Sequence, residues 1–293
     1  MAAVSHRKTV PSEYSTLHIV RPEAAGEKPL LTKTGASAFR NNPAAFCEAV
    51  YEAYHRPEFV SPDPLELVRP YTNPADREVA ALVASSLALG RVDGICRVVG
   101  DVLTTLGSPA AAVRELSAAE LGKMFSGFVY RFFRADHLVL LLSGTGALIR
   151  RYGSIERALA TFLCDSDGDL RSALGKLRDG VVTEGTGTDS ILLADARRQS
   201  AAKRLHLFLR WVVRRDCIDP GGWTAIAPHE LHVPVDTHML AICSALGLTG
   251  QKAPDARAVA DITSFFASIR PDDPVRYDFS LTRLGIHPDL RNL

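Results

Sequence analysis

From Pro43 onward the apolar residues return at the spacing of a helix and nowhere keep the strict alternation of a strand, so the core must be built by packing helices on helices. In the run Ala44 to Tyr51, the residues Phe46, Val50 and Tyr51 share one helical face. Segment 75–89 repeats the helical theme, with Ala75 to Ala84 almost all strong helix formers, and Gly90 stands where a left-handed C-terminal cap would go. The same spacing predicts helices near 92–105, 109–115, 117–124, 134–152, 155–164 and 168–178. No repeat of roughly 20–50 residues recurs, which disfavours a solenoid. The fold class that remains is a compact, two-lobed all-α body. Lobe one is expected at about 75–185, and lobe two from 43–74 together with 190–293.

At 293 residues and 46% hydrophobic, the chain can bury one large core or two smaller ones. Its 34 basic and 33 acidic residues leave no overall polyelectrolyte character, so any anion-binding surface has to be local. Cys47, Cys96, Cys164, Cys217 and Cys243 lie tens of residues apart and form no short cluster of the zinc or iron-sulfur kind; no metal and no cofactor is expected. There is neither a secretory h-region nor a run of about 18 apolar residues, which points to a cytoplasmic protein with no membrane partner. Residues 1–42, with Pro11, Pro22 and Pro29 and no sustained periodicity, read as a flexible extension. Gly185-Thr186-Gly187-Thr188-Asp189 lacks the Lys-Ser/Thr and the preceding strand of a phosphate loop and reads as a connection between lobes.

Three expected helices near the C-terminus carry the chemistry. The first spans about Ala201 to Arg215, with Ser200 as its cap and Leu205, Phe208, Leu209, Val212 and Val213 as its buried face. Lys203 falls in its first turn, where the positive end of the helix dipole disfavours an ammonium ion and so favours a nucleophilic amine. Seven cations and no acid occur between Arg197 and Arg215, among them Arg204, Arg210 and Arg214, a local excess suited to phosphates. The second helix opens at Asp236, an N-cap carboxylate that the amides would hold anionic beside a developing cation. The third, from Asp273-Pro274 through Tyr277, Phe279, Leu281 and Leu284, reads as structural.

Plainer readings stand beside these. A lysine followed by arginine is most often a solvated face, and an aspartate at a helix start can be no more than a cap worth about 1 kcal/mol. His229, His232 and His238 have no spacing that compels a metal site. Trp211 lies near the apolar face of its helix and reads as core, whereas Trp223, after Asp219-Pro220-Gly221-Gly222, falls in a loop near Asp236 and reads either as core or as the wall of a pocket.

Pro234-Val235-Asp236-Thr237-His238 resembles the aspartate motif of the helix-hairpin-helix DNA glycosylases, the superfamily of endonuclease III and the oxoguanine glycosylases. A closer resemblance is to a group of mainly bacterial proteins of that type. Its motifs read here as Ser200 to Leu205, Phe208 to Trp211, Asp219 to Trp223, Pro234 to His238 and Tyr277 to Ile286. Pro57-Glu58-Phe59-Val60, Asp63-Pro64, Ala88-Leu89-Gly90-Arg91 and Tyr130-Arg131-Phe132 also match, so the resemblance covers roughly residues 43–290.

The resemblance implies a two-lobed all-α fold and a monomeric, nucleoid-associated DNA repair enzyme that extrudes a damaged nucleotide from duplex DNA. Asp236 would be the catalytic carboxylate and Lys203 the nucleophilic lysine. On that reading the local excess at Arg204, Arg210 and Arg214 would contact DNA and Trp223 the extruded base. His238 would touch the sugar-phosphate or brace Asp236, although a histidine in a first helical turn is more commonly a hydrogen-bonded structural group. Ala196 to Lys203 contains no glycine, unlike the usual phosphate-gripping hairpin, and the four-cysteine cluster of endonuclease III is missing. The long Lys203-to-Asp236 separation is similar to the archaeal 8-oxoguanine branch, which implies an oxidised purine as the lesion. The alternatives are a nucleic-acid-binding protein of the same fold without chemistry, and a helical structural or partner-binding protein.

Overall fold

The computed structural model describes residues 39–286 apart from Thr186 and Thr188. It is all-α. The early helices are α1 (Pro43–Tyr54), α2 (Pro74–Ser86), α3 (Val92–Leu106), α4 (Pro109–Glu115) and α5 (Ala118–Met124). A short antiparallel hairpin, β1 (Val129–Tyr130) and β2 (Phe133–Arg134), leads into α6 (Ala135–Tyr152), α7 (Ile155–Cys164) and α8 (Leu170–Glu184). After an irregular stretch come α9 (Lys203–Val213), α10 (Thr237–Ala245), α11 (Ala256–Ile269) and α12 (Asp278–Ile286).

The helix bounds fall within a few residues of the periodicity for α3 to α7, and the differences elsewhere have physical causes. Gly90 does not cap α2, which closes at Leu87; at φ +112° it turns the chain into α3 instead. The hairpin's two-residue strands are too short to show alternation. Helix α11 was not expected, although Asp255 caps it through the Arg257 and Ala258 amides and Ala258, Val259, Ile262 and Phe266 bury one face. Residues 1–38 lie outside the described residues, but 39–42, expected in the extension, belong to the body. Phe39 is buried against Phe46 and Phe265, and Asn42 caps α1 by accepting from the Ala45 amide at 3.1 Å.

Helix α6 is the axis of one group, packed by α4, α5, α7 and α8. It carries Gly144 and Gly146 in mid-helix, each costing about 1 kcal/mol against alanine in helix propensity. Both are needed for close approach: a Cβ at Gly144 would lie 2.0 Å from the Val181 carbonyl oxygen of α8, and one at Gly146 would lie 1.7 Å from that of Val113 in α4. The second group joins α1 to α12 and α12 to α10. Helix α2 links the groups, packing on α4 and α9, and the buried side chains of both run together as one core. Among the described residues no helix is long and apolar enough to cross a membrane.

Candidate active site

Ala202 adopts a left-handed conformation, φ 44° and ψ 34°, that turns the chain into α9 so that Lys203 is its first residue. An alanine there carries strain of about 1–2 kcal/mol that a glycine would not. Ser200 is therefore not the cap of α9; its Oγ accepts from the Ala202 amide at 3.1 Å, and its backbone bridges to Asp255. Asp236 does cap its helix, since Oδ1 accepts from the His238 and Met239 amides, both at 2.9 Å. With Oδ1 held in this way, Oδ2 faces the Lys203 amine, and Nζ to Oδ2 is 3.6 Å. That is an ion-pair contact too long for a good hydrogen bond, and each side chain is 29% exposed.

The pair lies in a cleft of about 550 Å³, within the size range of small-molecule sites. Its wall includes Arg210, His238, Asp278, Thr282 and Arg283, and Gly90 and Arg91 line it from the start of α3. Asp278 is buried and paired with Arg210, while Arg283 pairs with Asp63 and lies over the Phe279 ring at 4.3 Å. Asp278 and Arg283 belong to the Tyr277-to-Ile286 motif, and Gly90 and Arg91 to Ala88–Arg91, so the signal for them was in the sequence. Residue type alone does not mark either motif as cleft-lining, since Gly90 has the signature of a cap and the last helix that of a structural element. Asp273, expected to open the last helix, lies before it and accepts from Arg214 Nε at 3.0 Å.

The basic run is not a phosphate-binding face along its length. Arg210 is buried and donates to Asp219 at 3.2 Å besides pairing with Asp278. Arg214, also buried, pairs with Asp219, Asp273 and Asp216. Burial opposes charge on both guanidinium groups, but the surrounding carboxylates, Asp219 foremost, outweigh it and hold them protonated. Arg204 donates to the carbonyls of Ser86 at 2.8 Å and Ile191 at 2.9 Å and lies over the Phe133 ring; burial pushes it down to about 10. Arg197 and Arg198 pair with Asp195. The window Arg197 to Arg215 has no acid of its own, and the fold supplies the acids from elsewhere.

Trp223 is likewise turned away from the Lys203 cleft. It is buried edge-on to Phe208 at 5.2 Å and lines a separate cleft of about 190 Å³ with Arg77, Glu78 and Glu156. Trp211 is fully buried core. Buried Glu78 accepts from the Ile155 amide at 3.0 Å at the start of α7, and burial, the larger influence, still raises it to about 7. Among the described residues one cluster has metal-ligand types close together, His55, Asp216 and Cys217. The Asp216 oxygens are already committed: Oδ2 to His55 Nε2 and Arg214, both at 2.9 Å, and Oδ1 to the Ile218 and Asp219 amides. The cluster is a structural node.

Fold and cleft together define a helical protein whose lysine and aspartate, 33 residues apart in sequence, meet in one concave site. Residues 63–287 match the family described as "Protein of unknown function (DUF2400)", and the chain belongs to that family. The match spans Asp63, Lys203, Asp236, Asp278 and Arg283. No curated protein and no solved structure matches the chain.

Proposed function

We propose that this protein is a DNA glycosylase with strand-nicking lyase activity, acting on a damaged base, with an oxidised purine the favoured lesion. The observation that carries the reading is the 3.6 Å approach of Lys203 Nζ to Asp236 Oδ2 inside a cleft large enough for an extruded nucleoside. One sugar can touch both groups. Asp236 is placed to accept a proton from the Lys203 ammonium, freeing the Nζ lone pair.

Attack of Nζ on the anomeric carbon forms a carbon–nitrogen bond, and the glycosidic bond breaks with its electron pair leaving on the base. The departing base takes up the proton that the attacking nitrogen loses, which leaves that nitrogen neutral. The proton held by Asp236 then passes to the ring oxygen as the C1′–O4′ bond breaks, giving a protonated Schiff base beside a carboxylate that is anionic again and stabilises its charge. Loss of a C2′ proton expels the 3′ phosphate, nicking the strand, and hydrolysis returns the free amine. The cap bonds to Oδ1 keep the carboxylate in place throughout.

The test is borohydride trapping of the full-length protein on duplexes carrying 8-oxoguanine, uracil, oxidised pyrimidines, alkylated purines or an abasic site. The expected result is a covalent adduct on at least one of them, lost in Lys203→Ala. Trapping that survives Lys203→Ala removes the role given to that residue. Salt-sensitive duplex binding with no adduct on any substrate supports the alternative, a binding protein without chemistry.

A further inference from the structure

The hairpin is the element that the cleft chemistry leaves unused. At its turn Phe132 is 55% exposed, while the next residue, Phe133, is fully buried and holds the turn down from beneath. Val129 beside it is also exposed. A phenylalanine this open in a turn has no role in the core.

Its surroundings are cationic. Arg91, Arg97, Arg131 and Arg134 are all exposed, and among the described residues none of them forms an ion pair with a carboxylate. Burial raises the Tyr130 hydroxyl, and the charges of Arg131 and Arg97 oppose that, so both guanidinium groups lie within electrostatic reach of it. Acids lie nearby as well, Asp93 on the cleft wall, Glu66 beside Cys96, Asp101 one turn after Arg97 on α3 and Asp136, which faces His137 at 3.6 Å, but none is within ion-pair distance of these arginines. This differs from α9, whose arginines are consumed internally.

The hairpin is also fixed to the cleft. Tyr130 Oη donates to the Leu89 carbonyl at 2.8 Å, and Arg131 Nη1 lies so close over Gly90 that a Cβ there would come within 2.8 Å of it. Gly90 and Arg91 are cleft-lining residues. Arg204, next to Lys203, holds the other side of the hairpin through the Phe133 ring at 5.7 Å.

We infer that the hairpin and the start of α3 form the surface that engages duplex DNA, with Arg91, Arg97, Arg131 and Arg134 on the phosphates and Phe132 filling a gap in the base stack beside the cleft. The inference rests on the proposed glycosylase reading. It commits to a duplex with one unstacked position, because unpaired guanidinium groups complement phosphate and an exposed ring stacks where a base is missing.

The test is fluorescence anisotropy of the full-length protein with three probes of one sequence: an intact duplex, the duplex with a tetrahydrofuran in place of one nucleotide, and the single strand. The tetrahydrofuran cannot form a Schiff base, so binding is read without turnover. The wild type is expected to prefer the tetrahydrofuran duplex, and Phe132→Ala to lose about tenfold of that preference with little change on the intact duplex. Arg97→Gln with Arg131→Gln is expected to weaken both duplexes equally and flatten the salt slope by about 2. An unchanged thermal melt shows that the exposed sites were altered without loss of fold. Duplex binding that neither variant affects, or a preference for the single strand, overturns the hairpin surface even where Lys203 trapping succeeds. Variant-sensitive duplex binding with no trapping on any lesion overturns the glycosylase reading and leaves this surface standing.

Discussion

The two ends of α9 have similar side chains in opposite circumstances. At its start Lys203 meets a single carboxylate at 3.6 Å, with both groups partly open to a cleft. Two turns further on, Arg210 and Arg214 are 4% exposed and held among Asp216, Asp219, Asp273 and Asp278. Availability for chemistry is therefore not a property of the helix or of its charge. It is set by the acids that reach each position: among the described residues one carboxylate lies within ion-pair distance of Lys203, whereas Asp216 and Asp219 from the turn that follows the helix and Asp273 and Asp278 from farther along the chain surround Arg210 and Arg214.

The largest break in this comparison is expected from Arg214→Met. Removing the guanidinium leaves Asp219, which is completely buried, with one cation in place of two, and strips Asp273 of its partner. Breaking a buried ion pair from one side costs about 3–5 kcal/mol. Urea unfolding should show a loss of that order, and a loss below about 1 kcal/mol would mean that the network is no more committed than the cleft pair.

A second, smaller effect is written into the same helix by His206. Its ring is fully buried, and burial first, then His232 and Arg171, lowers it to about 3. An unfolded histidine titrates near 6.5, so the unfolded chain binds the proton first. The stabilisation is complete above about 6.5 and is lost as pH falls from there towards 3, the loss reaching about 3 kcal/mol by pH 4. The measurement is denaturant unfolding at pH 7 and pH 4 with His206→Gln alongside, which should lose less stability between the two. Equal acid slopes in both proteins would show that His206 is not the group responsible.

These contrasts mark what the sequence could and could not convey. The helical architecture was legible because amphipathic spacing and caps such as Asp236 are local. Lys203 and Asp236 were legible as a pair through motif and helix position, and the fold brings them into one cleft. Arg204, Arg210, Arg214 and Trp223 were misplaced because their partners come from α2, from α12 and from the turns around Asp216, Asp219 and Asp273. A window without acids says nothing about acids folded in from 60 residues away, as Arg214 and Asp273 show (59 apart). The left-handed Ala202 was illegible for a different reason: the glycine that usually marks such a turn is absent, and the strain is borne by an alanine.

The smallest stability effects belong to the cleft pair. Lys203→Ala removes one partly exposed ion pair, worth at most about 1 kcal/mol. Asp236→Asn should cost still less, a few tenths of a kcal/mol, because asparagine caps a helix as well as aspartate and the His238 and Met239 amides keep their acceptor. On the proposed chemistry the same two changes are the most damaging to activity, since one removes the nucleophile and the other the carboxylate that takes its proton. Melting curves and borohydride trapping on the same three proteins separate the two kinds of importance. Near-wild-type melting with trapping lost in both variants is the expected pattern. If Asp236→Asn melts as the wild type does and still traps at the wild-type rate, the carboxylate is only a helix cap, and its 3.6 Å approach to the amine has no catalytic meaning.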